Sequence, residues 1–359
     1  MEIKTIEWHG TYKDGNAIII DQTKLPNKYE TLIVDNIEIM WDAIRKLKIR
    51  GAPAIGIAAA YGLFLETRNI KSKDIFFEEF TKASKYLNSS RPTAVNLSWA
   101  LKRMEKKARS LYDTNDLDSL KEKLWQEANN ILKEDMEICH KLGENGQTLV
   151  KNNSNLLTHC NAGGLATSGY GTALAVMFSA TKHGKKIHVY ADETRPLWQG
   201  ARLTTWELKQ CGIPTTLICD NTAAFLMQQN KIDIIFTGAD RIAANGDTAN
   251  KIGTYSLSIL ANAHQIPFYI VAPVSTFDFN ISSGKEIKIE ERSGDEVTKP
   301  YNLNIAPEGI NIYSPAFDVT PAKYISGIVT EFGIIHQPVT KEKIYELCCQ
   351  AVRDDFSII

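Results

Sequence analysis

The sequence predicts an α/β protein in which a largely parallel, helix-covered sheet forms the C-terminal domain and a smaller helix-rich domain precedes it. From about residue 155, short apolar runs alternate with helical patterns at spacings typical of βαβ units. The first 150 residues instead carry mainly helical periodicity, and a polar run at 151–154 separates the two regions. We therefore expect one domain at residues 1–150 and a second, sheet-containing domain at residues 151–359.

Helical periodicity dominates the N-terminal region after two β-like pieces near 17–21 and 31–34. The helices predicted by that periodicity are 38–48, 53–67, 75–87, 93–112 and 117–150. The second of them begins at Pro53, which suits a first helical turn, and is very apolar from Ala54 to Leu65. That apolar run is too short to cross a bilayer, so we expect no membrane span.

Strands and helices alternate in the C-terminal region. The short apolar segments predicted as strands are 155–160, 186–191, 213–219, 232–237 and 267–272. The helical patterns between them are 169–183, 199–211, 221–230 and 250–264. Sheets of this kind bind ligands in the crevice at the carboxyl ends of their strands, so functional residues are expected there. The charged, Gly/Pro-containing stretch 280–311 is predicted to be a mobile excursion before a final helix at 339–351.

Composition favours small-molecule chemistry over several other functions. Lys and Arg total 41 against 42 Asp and Glu, a formal net charge of −1, which lacks the basic excess of a nucleic-acid-binding protein. The N-terminus has no apolar signal-peptide core, and the 6 cysteines show no CxxC spacing. We therefore expect a cytoplasmic protein with reduced cysteines and no zinc site. GxSxG, HExxH, Walker A and GxGxxG motifs do not occur in the sequence.

The segment 237–251 joins an acid to a lysine through a polar loop. Asp240 follows a buried strand, so its carboxyl group is expected at the carboxyl end of the sheet. The loop 245–250 has the composition of a turn, and helical periodicity resumes at Lys251. Asn250 and Lys251 are thus predicted at a helix N-terminus, where free N–H groups favour an anion. A capped helix with a solvated lysine fits the same residues.

Cys160 is the best candidate for a reactive thiol. It ends the first predicted strand of the sheet and precedes Gly163 and Gly164, which would let the backbone approach a ligand closely. A helix start after it would stabilise a thiolate, whereas a small buried structural cysteine is the alternative. His159 is expected on the opposite face of the strand, where it packs beneath the sheet or bonds locally, so no Cys-His nucleophilic pair is predicted.

Two arginines are placed at predicted helix starts, as an anion site requires. Arg50 leads through Gly51 and Ala52 into the apolar helix, and its guanidinium and the helix amides can form an anion cradle. Alternatively, Gly51 only ends the preceding helix. Arg91 likewise precedes a predicted helix, that at 93–112. Each arginine taken singly also fits a structural or solvated role. Gln199 opens the helix after the second strand of the sheet and could hydrogen-bond a sugar hydroxyl.

Five sequence blocks carry a family resemblance. They are RGAPAIGIAAAYG from Arg50, NSSRPTAVNLSWAL from Asn88, THCNAGGLATSGYGTALAV from Thr158, DETRPLWQGARLTTWEL from Asp192 and GADRIAANGDTANKIGTY from Gly238. On these blocks the chain strongly resembles the methylthioribose-1-phosphate isomerases over nearly its whole length. That family is related to the regulatory subunits of the eukaryotic initiation-factor guanine-nucleotide exchange complex, and to isomerases of 5-deoxyribose 1-phosphate or ribose 1,5-bisphosphate.

The resemblance implies a helical N-terminal domain, a Rossmann-like C-terminal domain, and a homodimer that needs neither a metal nor an organic cofactor. It implies an isomerase that converts 5-methylthioribose 1-phosphate, an aldose, to 5-methylthioribulose 1-phosphate, a ketose, in methionine salvage. Cys160 and Asp240 match the family's catalytic pair. The residues that match its substrate contacts are Arg50, Gly51, Ala52, Arg91, Gln199, Asn250 and Lys251.

Two alternatives to that function stay open at the level of sequence. An isomerase of 5-deoxyribose 1-phosphate or ribose 1,5-bisphosphate would share the reacting end of the sugar and differ in what it binds at C5. A non-catalytic regulatory subunit would use the same cleft to sense a phosphate. The presence of both Cys160 and Asp240 speaks against such a sensor, which needs neither.

Overall fold

A computed structural model describes residues 3–92 and 94–353, with side chains described as far as Cys348. The chain divides into two compact units. The first, here the N-terminal unit, contains the residues up to Ile138 together with Gly164–Gly171. The second, here the sheet unit, contains Cys139–Gly163 and the residues from Thr172 onward. The predicted domain boundary at residue 150 stays a prediction, and Thr93, at the start of a predicted helix, lies outside the described residues.

The N-terminal unit has a small antiparallel sheet followed by helices. Its strands are β1 (Ile6–His9), β2 (Asn16–Ile20) and β3 (Thr31–Val34). Its helices are α1 (Ile37–Arg45), α2 (Ala52–Thr67), α3 (Phe76–Asn88), α4 (Val95–Tyr112) and α5 (Leu117–Gln147), the last of which continues into the sheet unit. The sequence patterns predict all of these elements except β1, whose run of four residues is too short to establish a period.

Helix α2 lies at the centre of the core of the N-terminal unit. Every residue from Ala54 to Leu65 is buried, and α1, α3 and α4 pack around the helix. A helix that is apolar on all sides is stable only when it is surrounded in this way. Gly56 permits the approach of α4, since a Cβ there would lie 3.0 Å from the Asn96 carbonyl oxygen. No helix in the described part of the chain is long and apolar enough to cross a membrane.

The sheet unit alternates strands and helices. Its strands are β4 (Ser154–Thr158), β5 (Ile187–Asp192), β6 (Thr215–Ile218), β7 (Ile234–Thr237), β8 (Arg241–Ala243), β9 (Thr248–Lys251), β10 (Phe268–Val271), β11 (Phe277–Asp278), β12 (Phe317–Thr320), β13 (Gly327–Thr330) and β14 (Gly333–His336). Its further helices are α6 (Ala173–Lys182), α7 (Thr205–Gln210), α8 (Thr222–Gln228), α9 (Thr254–Ala263), α10 (Asp295–Thr298) and α11 (Lys341–Arg353).

The main sheet of this unit has a winding that reverses at its centre. Among the described residues, seven strands pair in the order β14-β13-β10-β7-β4-β5-β6, and all pairs are parallel except β13 with β14. The chain moves outward from β4 through β5 and β6, then returns to the other side of β4 with β7 and continues through β10 and β13. Such a reversal opens a crevice at the carboxyl ends of the two central strands. The predicted Rossmann-like, mostly parallel sheet is confirmed.

Several parts of the sheet unit differ from the sequence prediction. The predicted strands do not include β13, β14 or the second sheet, whose order is β11-β8-β9-β12. The predicted helix at 199–211 is divided, because a π-helical turn at Gly200–Thr204 leads into α7. The stretch 280–311, predicted to be an excursion, holds short helical turns at Gly284–Glu286, in α10 and at Pro300–Asn302.

Candidate active site

Cys160 lies two residues beyond the carboxyl end of β4 and is half-buried. Its backbone has a φ of +64°, in the left-handed region that residues with a Cβ rarely adopt. Two buried threonines bond to it there. The Cys160 N–H donates to Thr194 Oγ1 at 2.7 Å, and the Cys160 carbonyl accepts from Thr204 Oγ1 at 2.6 Å. Backbone strain that neighbours maintain in this way is concentrated at functional sites.

The residues after Cys160 differ from the expected helix start. A 3₁₀ turn follows at Gly164–Ala166, and α6 begins only at Ala173. Since the described residues between them contain no α-helix N-terminus, the predicted helix start next to Cys160 is wrong. Gly163 has a packing role, and its predicted role in ligand approach stays a prediction. A Cβ at Gly163 would lie 2.4 Å from Glu207 Oε2.

Asp240 lies three residues beyond the carboxyl end of β7, the strand that pairs with β4. Cys160 and Asp240 therefore extend from the two strands that flank the reversal of the sheet. Asp240 is half-buried, and its N–H donates to the Ala249 carbonyl at 2.9 Å. The strand pattern predicts this position of Asp240, and the bond to Ala249 ties it to the segment that carries Asn250 and Lys251.

That segment is a β-hairpin and not the predicted loop and helix N-terminus. β8 and β9 pair antiparallel, with Arg241 opposite Ala249, and β12 pairs with the other edge of β9. Because α9 begins only at Thr254, Asn250 and Lys251 are strand residues, and their predicted position at a helix N-terminus is wrong. The polar sequence of β9 gives no strand signal, yet all of its residues are buried between the neighbouring strands.

The side chains of Asn250 and Lys251 are buried and held in place. Lys251 is 9% exposed, so the alternative of a solvated lysine is excluded. Its Nζ donates to the Ala316 carbonyl at 3.0 Å and lies 4.6 Å from the centre of the Phe317 ring. Asn250 Nδ2 donates to Thr254 Oγ1 at 3.0 Å. A buried ammonium group favours a nearby anion, as the proposed phosphate contact requires.

Gln199 follows β5, which is the other neighbour of β4, and immediately precedes the π-helical turn. Its side chain is 5% exposed, and its Oε1 has no hydrogen-bond partner in the described part of the chain. A buried amide oxygen without a partner costs free energy, so a ligand donor such as a hydroxyl group suits this position. π-Helical turns are also frequent at functional sites.

Gly51 and Ala52 form the start of α2 in the N-terminal unit. Gly51 has a φ of +93°, and a Cβ there would lie 2.4 Å from the Ala166 carbonyl oxygen, so only glycine fits. The alternative that Gly51 merely ends the preceding helix is wrong, because α1 ends at Arg45. Ala52 is the first residue of α2, where N–H groups have no acceptor within the helix. The predicted arrangement of amides at a helix N-terminus is therefore present.

The two predicted arginines lie just before α2 and α4, which pack against each other. Arg50 is 8% exposed, and its Nε donates to Gln22 Oε1 at 3.2 Å. Gln22 Nε2 in turn donates to the Leu165 carbonyl at 2.7 Å, so a buried chain of bonds orients the guanidinium group. Arg91 is half-buried in the turn before α4, and its carbonyl accepts the N–H of Ala94.

His159 makes long-range contacts that its place in the sequence does not reveal. Its Nδ1 lies 2.9 Å from Asp192 Oδ2, and its Nε2 lies 2.9 Å from the Ile252 carbonyl oxygen. Burial opposes a charge on the ring, but the Asp192 carboxylate outweighs burial and raises the pKa of His159. Burial raises the pKa of Asp192 to about 6. Of the two alternatives predicted for His159, local bonding is therefore wrong.

The side chains of His159, Asp192 and Asp220 each place one possible metal ligand atom within 4.8 Å of the others. Most of the possible ligand atoms already have hydrogen-bond partners. Both ring nitrogens of His159 have partners, and Asp220 accepts the N–H groups of Thr194 and Arg195 at 2.7 and 2.8 Å. A metal-binding imidazole must offer a free nitrogen lone pair. We therefore interpret the cluster as a hydrogen-bond network.

Comparison with known proteins adds to this geometry. Residues 48–337 match the Initiation factor 2 subunit family. A protein of Geotalea uraniireducens (strain Rf4) named methylthioribose-1-phosphate isomerase is 52% identical over 344 residues, which cover 95% of this chain and 98% of that protein. A protein of Moorella thermoacetica named 5-deoxyribose 1-phosphate isomerase is 53% identical over 330 residues, which cover 91% and 94% respectively.

A solved structure shows the same fold over nearly the full length. The crystal structure of 5-methylthioribose 1-phosphate isomerase from Pyrococcus horikoshii OT3 aligns with a TM-score of 0.88 at 44% identity. The alignment covers 97% of this chain and 96% of that one. The fold of this chain therefore recurs in that protein.

Proposed function

Because this chain belongs to the Initiation factor 2 subunit family, we propose that it is an aldose–ketose isomerase that converts 5-methylthioribose 1-phosphate to 5-methylthioribulose 1-phosphate in methionine salvage. One observation carries the proposal. Cys160 and Asp240 extend from the two parallel strands that flank the reversal of the sheet, where Rossmann-like folds bind ligands. A thiol and an acid at that position suit proton and hydrogen transfer on a small sugar.

Asp240 is the proposed general acid. Phosphate on the anomeric oxygen prevents the spontaneous ring opening that a free sugar undergoes, so the protein must open the ring itself. Asp240 donates its proton to the ring oxygen while the bond from that oxygen to C1 breaks. The role requires a protonated carboxyl group when substrate is bound, and both burial and a nearby substrate phosphate favour that form.

Cys160 is the proposed partner in the transfer of hydrogen from C2 to C1. In one route its thiolate removes the C2 proton to form an enediol phosphate and returns that proton to C1, while the C2 hydroxyl loses its proton to a base and becomes the ketone oxygen. In the other route hydrogen moves directly from C2 to C1 with its electron pair, the C2 hydroxyl loses its proton to a base, and Cys160 positions the sugar. The ketose 1-phosphate is the product of both routes.

The remaining predicted contacts are assigned by their chemistry. Cations and helix amides suit the phosphate, with the bidentate geometry of arginine fixing its orientation. These are Arg50, Gly51, Ala52, Arg91 and Lys251. The side-chain amides of Gln199 and Asn250 suit sugar hydroxyls. From the resemblance alone, we also propose that the protein is a cytoplasmic homodimer that works without a metal or an organic cofactor.

A second candidate substrate is 5-deoxyribose 1-phosphate. The Moorella thermoacetica relative of that name is as similar to this chain as the Geotalea uraniireducens relative. The two sugars are identical at C1 and C2 and differ only at C5, so the proposed chemistry is the same. Ribose 1,5-bisphosphate also shares the reacting end, but its second phosphate calls for additional cations.

The test measures turnover in variants of the proposed pair. Cys160→Ser and Asp240→Asn should leave the free energy of unfolding within about 1 kcal/mol of the parent and lower kcat by a factor of at least about 100. Cys211→Ser is the thiol control, since Cys211 is also half-buried. Asp233→Asn is the carboxyl control, since Asp233 precedes the opposite end of β7. Wild-type turnover in either active-site variant would remove that residue from the mechanism.

The same assay identifies the substrate. We expect kcat/KM to be highest for 5-methylthioribose 1-phosphate when the three sugar phosphates are compared side by side. A higher value for 5-deoxyribose 1-phosphate would make that sugar the substrate. No turnover of any of the three would overturn the proposed function. Turnover in heavy water separates the routes, because solvent deuterium in the product excludes a strict hydride shift.

A further inference from the structure

His159, the residue before Cys160, is a buried histidine with a partner for each ring nitrogen. Nε2 lies 2.9 Å from the Ile252 carbonyl oxygen. Because a carbonyl can only accept, Nε2 carries a hydrogen and donates it. Nδ1 lies 2.9 Å from Asp192 Oδ2. Two lone pairs at that distance would repel each other, so a proton also lies between the ring and the carboxyl group.

These bonds connect two parts of the proposed active site. Ile252 directly follows Lys251, so the bond from His159 to Ile252 anchors the turn that follows the lysine. The next residue packs on the ring itself, since a Cβ at Gly253 would lie 2.8 Å from His159 Cε1. The Gly253 N–H donates to Asp318 Oδ2 at 2.7 Å. The turn after Lys251 is thus held between the end of β4, which carries Cys160, and β12.

Stability alone does not account for the pair of His159 and Asp192. Each residue is 2% exposed, and Asp192 Oδ1 has no hydrogen-bond partner among the residues the structure describes. Burial of a carboxyl group with an unsatisfied oxygen destabilises a fold. A destabilising arrangement that persists beside a strained candidate nucleophile indicates a role in function.

We propose that His159 is a positioning residue, whose doubly bonded ring fixes the turn after Lys251 relative to the strand end that carries Cys160. Asp192 orients the ring. The inference rests on the proposed function, because it places the effect of His159 on the alignment of the phosphate contact with the reacting carbons. Both ring nitrogens are engaged elsewhere, so His159 is not the base that deprotonates Cys160.

Two substitutions separate the two bonds of the ring. In His159→Gln the side-chain amide reaches the position of Nε2 and can still donate to Ile252. In His159→Asn the amide reaches only the position of Nδ1, which keeps the bond to Asp192 and loses the anchor of the turn. We expect His159→Asn to lower kcat at least tenfold and raise KM for the sugar phosphate, and His159→Gln to recover at least half of the wild-type kcat.

The matched control is His188→Asn on β5. His188 is only partly buried, and its Nε2 bonds to Thr216 Oγ1 at 2.9 Å, away from the turn. That variant should keep wild-type kcat and KM. The free energy of unfolding is measured by urea titration for every variant, so that a loss of kcat in a folded protein is distinguished from a loss of folded protein.

The outcomes are distinguishable. If the wild type is active and His159→Asn has the same kcat and KM as the wild type, the positioning role is overturned. Equal losses in the Asn and Gln variants would also overturn it, because the turn anchor would then not be the relevant bond. If His159→Asn does not fold, a His159→Gln variant with less than a tenth of the wild-type kcat would overturn it. An inactive wild type would instead refute the proposed function.

Discussion

The backbone of Cys160 is strained, and the hydroxyl groups of two threonines stabilise that conformation. A non-glycine residue in the left-handed region costs about 1–3 kcal/mol. Thr204 contributes most directly, because its Oγ1 donates to the Cys160 carbonyl at 2.6 Å and accepts from Asn161 Nδ2 at 3.2 Å. No sequence motif identifies either threonine, because a hydrogen bond between a hydroxyl group and a distant backbone group requires no fixed spacing in the sequence.

We predict that Thr204→Val lowers both stability and turnover. The substitution keeps the shape of the side chain but leaves the Cys160 carbonyl without this donor, a loss of about 1–3 kcal/mol in the free energy of unfolding. The freed backbone should also displace the thiol and lower kcat. Urea titration and steady-state kinetics measure the two effects.

Thr205→Val is the control for that prediction. Thr205 is the next residue in the chain, but its Oγ1 donates to the Ala201 carbonyl one helical turn earlier and not to the active site. It should change kcat by less than about twofold, since surface and helix substitutions away from such features have small effects. Equal kcat losses in both variants would contradict the special role of Thr204.

At the scale of elements, the β8–β9 hairpin aligns the proposed general acid with two of the proposed substrate contacts. It places Asp240, Asn250 and Lys251 at one end of a two-stranded ladder, away from its turn. Asp247 fixes the turn, because its carboxylate accepts the N–H of Gly284 at 3.0 Å and that of Ala322 at 2.9 Å. The turn of a hairpin sets the register of its strands. Loss of the Asp247 bonds should therefore also displace the strand ends that carry Asp240 and Lys251.

We predict that Asp247→Ala lowers kcat although the residue lies at the turn and not at the strand ends. Its two charge-assisted bonds to backbone amides are worth about 1.5–3 kcal/mol each, so stability should fall as well. The expected loss of kcat is about three- to tenfold, measured by steady-state kinetics at a temperature where the variant remains folded.

Asp233→Ala provides the matched control. Asp233 Oδ2 also accepts a backbone N–H, that of Asn155 at 2.7 Å, but at the amino end of the same central strands. Because Asp233 is exposed and accepts only this N–H among the described residues, a smaller loss of stability with unchanged kcat is expected there. The hairpin would have no role in alignment if Asp247→Ala retained wild-type kcat.

At the scale of the whole molecule, the His159–Asp192 pair should make stability depend on pH near neutrality. A raised pKa in the folded state means that the folded protein binds the proton more tightly than the unfolded chain does. The resulting stabilisation is complete below the unfolded-state pKa and is lost as pH rises through the folded-state pKa. For Asp192 the window extends from its ordinary value of 3.8 to about 6. The raised pKa of His159 acts in the same direction at higher pH.

We predict that lowering the pH from 8 to 5 raises the free energy of unfolding of the wild type by about 1 kcal/mol or more, relative to the change in Asp192→Asn over the same pH range. Asparagine removes the titrating carboxyl group, and its amide can donate to Nδ1 of a neutral ring. The carboxylates of Asp220, Glu193 and Asp318, which also act on this pair, remain in both proteins. Urea titration at both pH values measures the difference, and identical pH profiles would contradict the prediction.

The sequence by itself determined the fold class, most of the helices and the central strands. Apolar segments predict α2 and five of the six parallel strands that the structure describes in the main sheet. They also predict the position of Asp240, since an acid that follows a buried strand must lie at the strand's carboxyl end. The family blocks supplied the proposed catalytic role of Cys160 and the proposed phosphate contacts, which periodicity alone leaves open.

Tertiary structure alone decided the strand order, the hairpin and the hydrogen bonds around Cys160. The order of strands depends on how crossovers pack, which local periodicity does not record. The residues of β9 are polar in sequence and become buried only because β8 and β12 cover them. His159 likewise meets Asp192 and Ile252 across 33 and 93 residues. Such contacts form only when distant parts of the chain come together in the folded protein, so no sequence spacing predicts them.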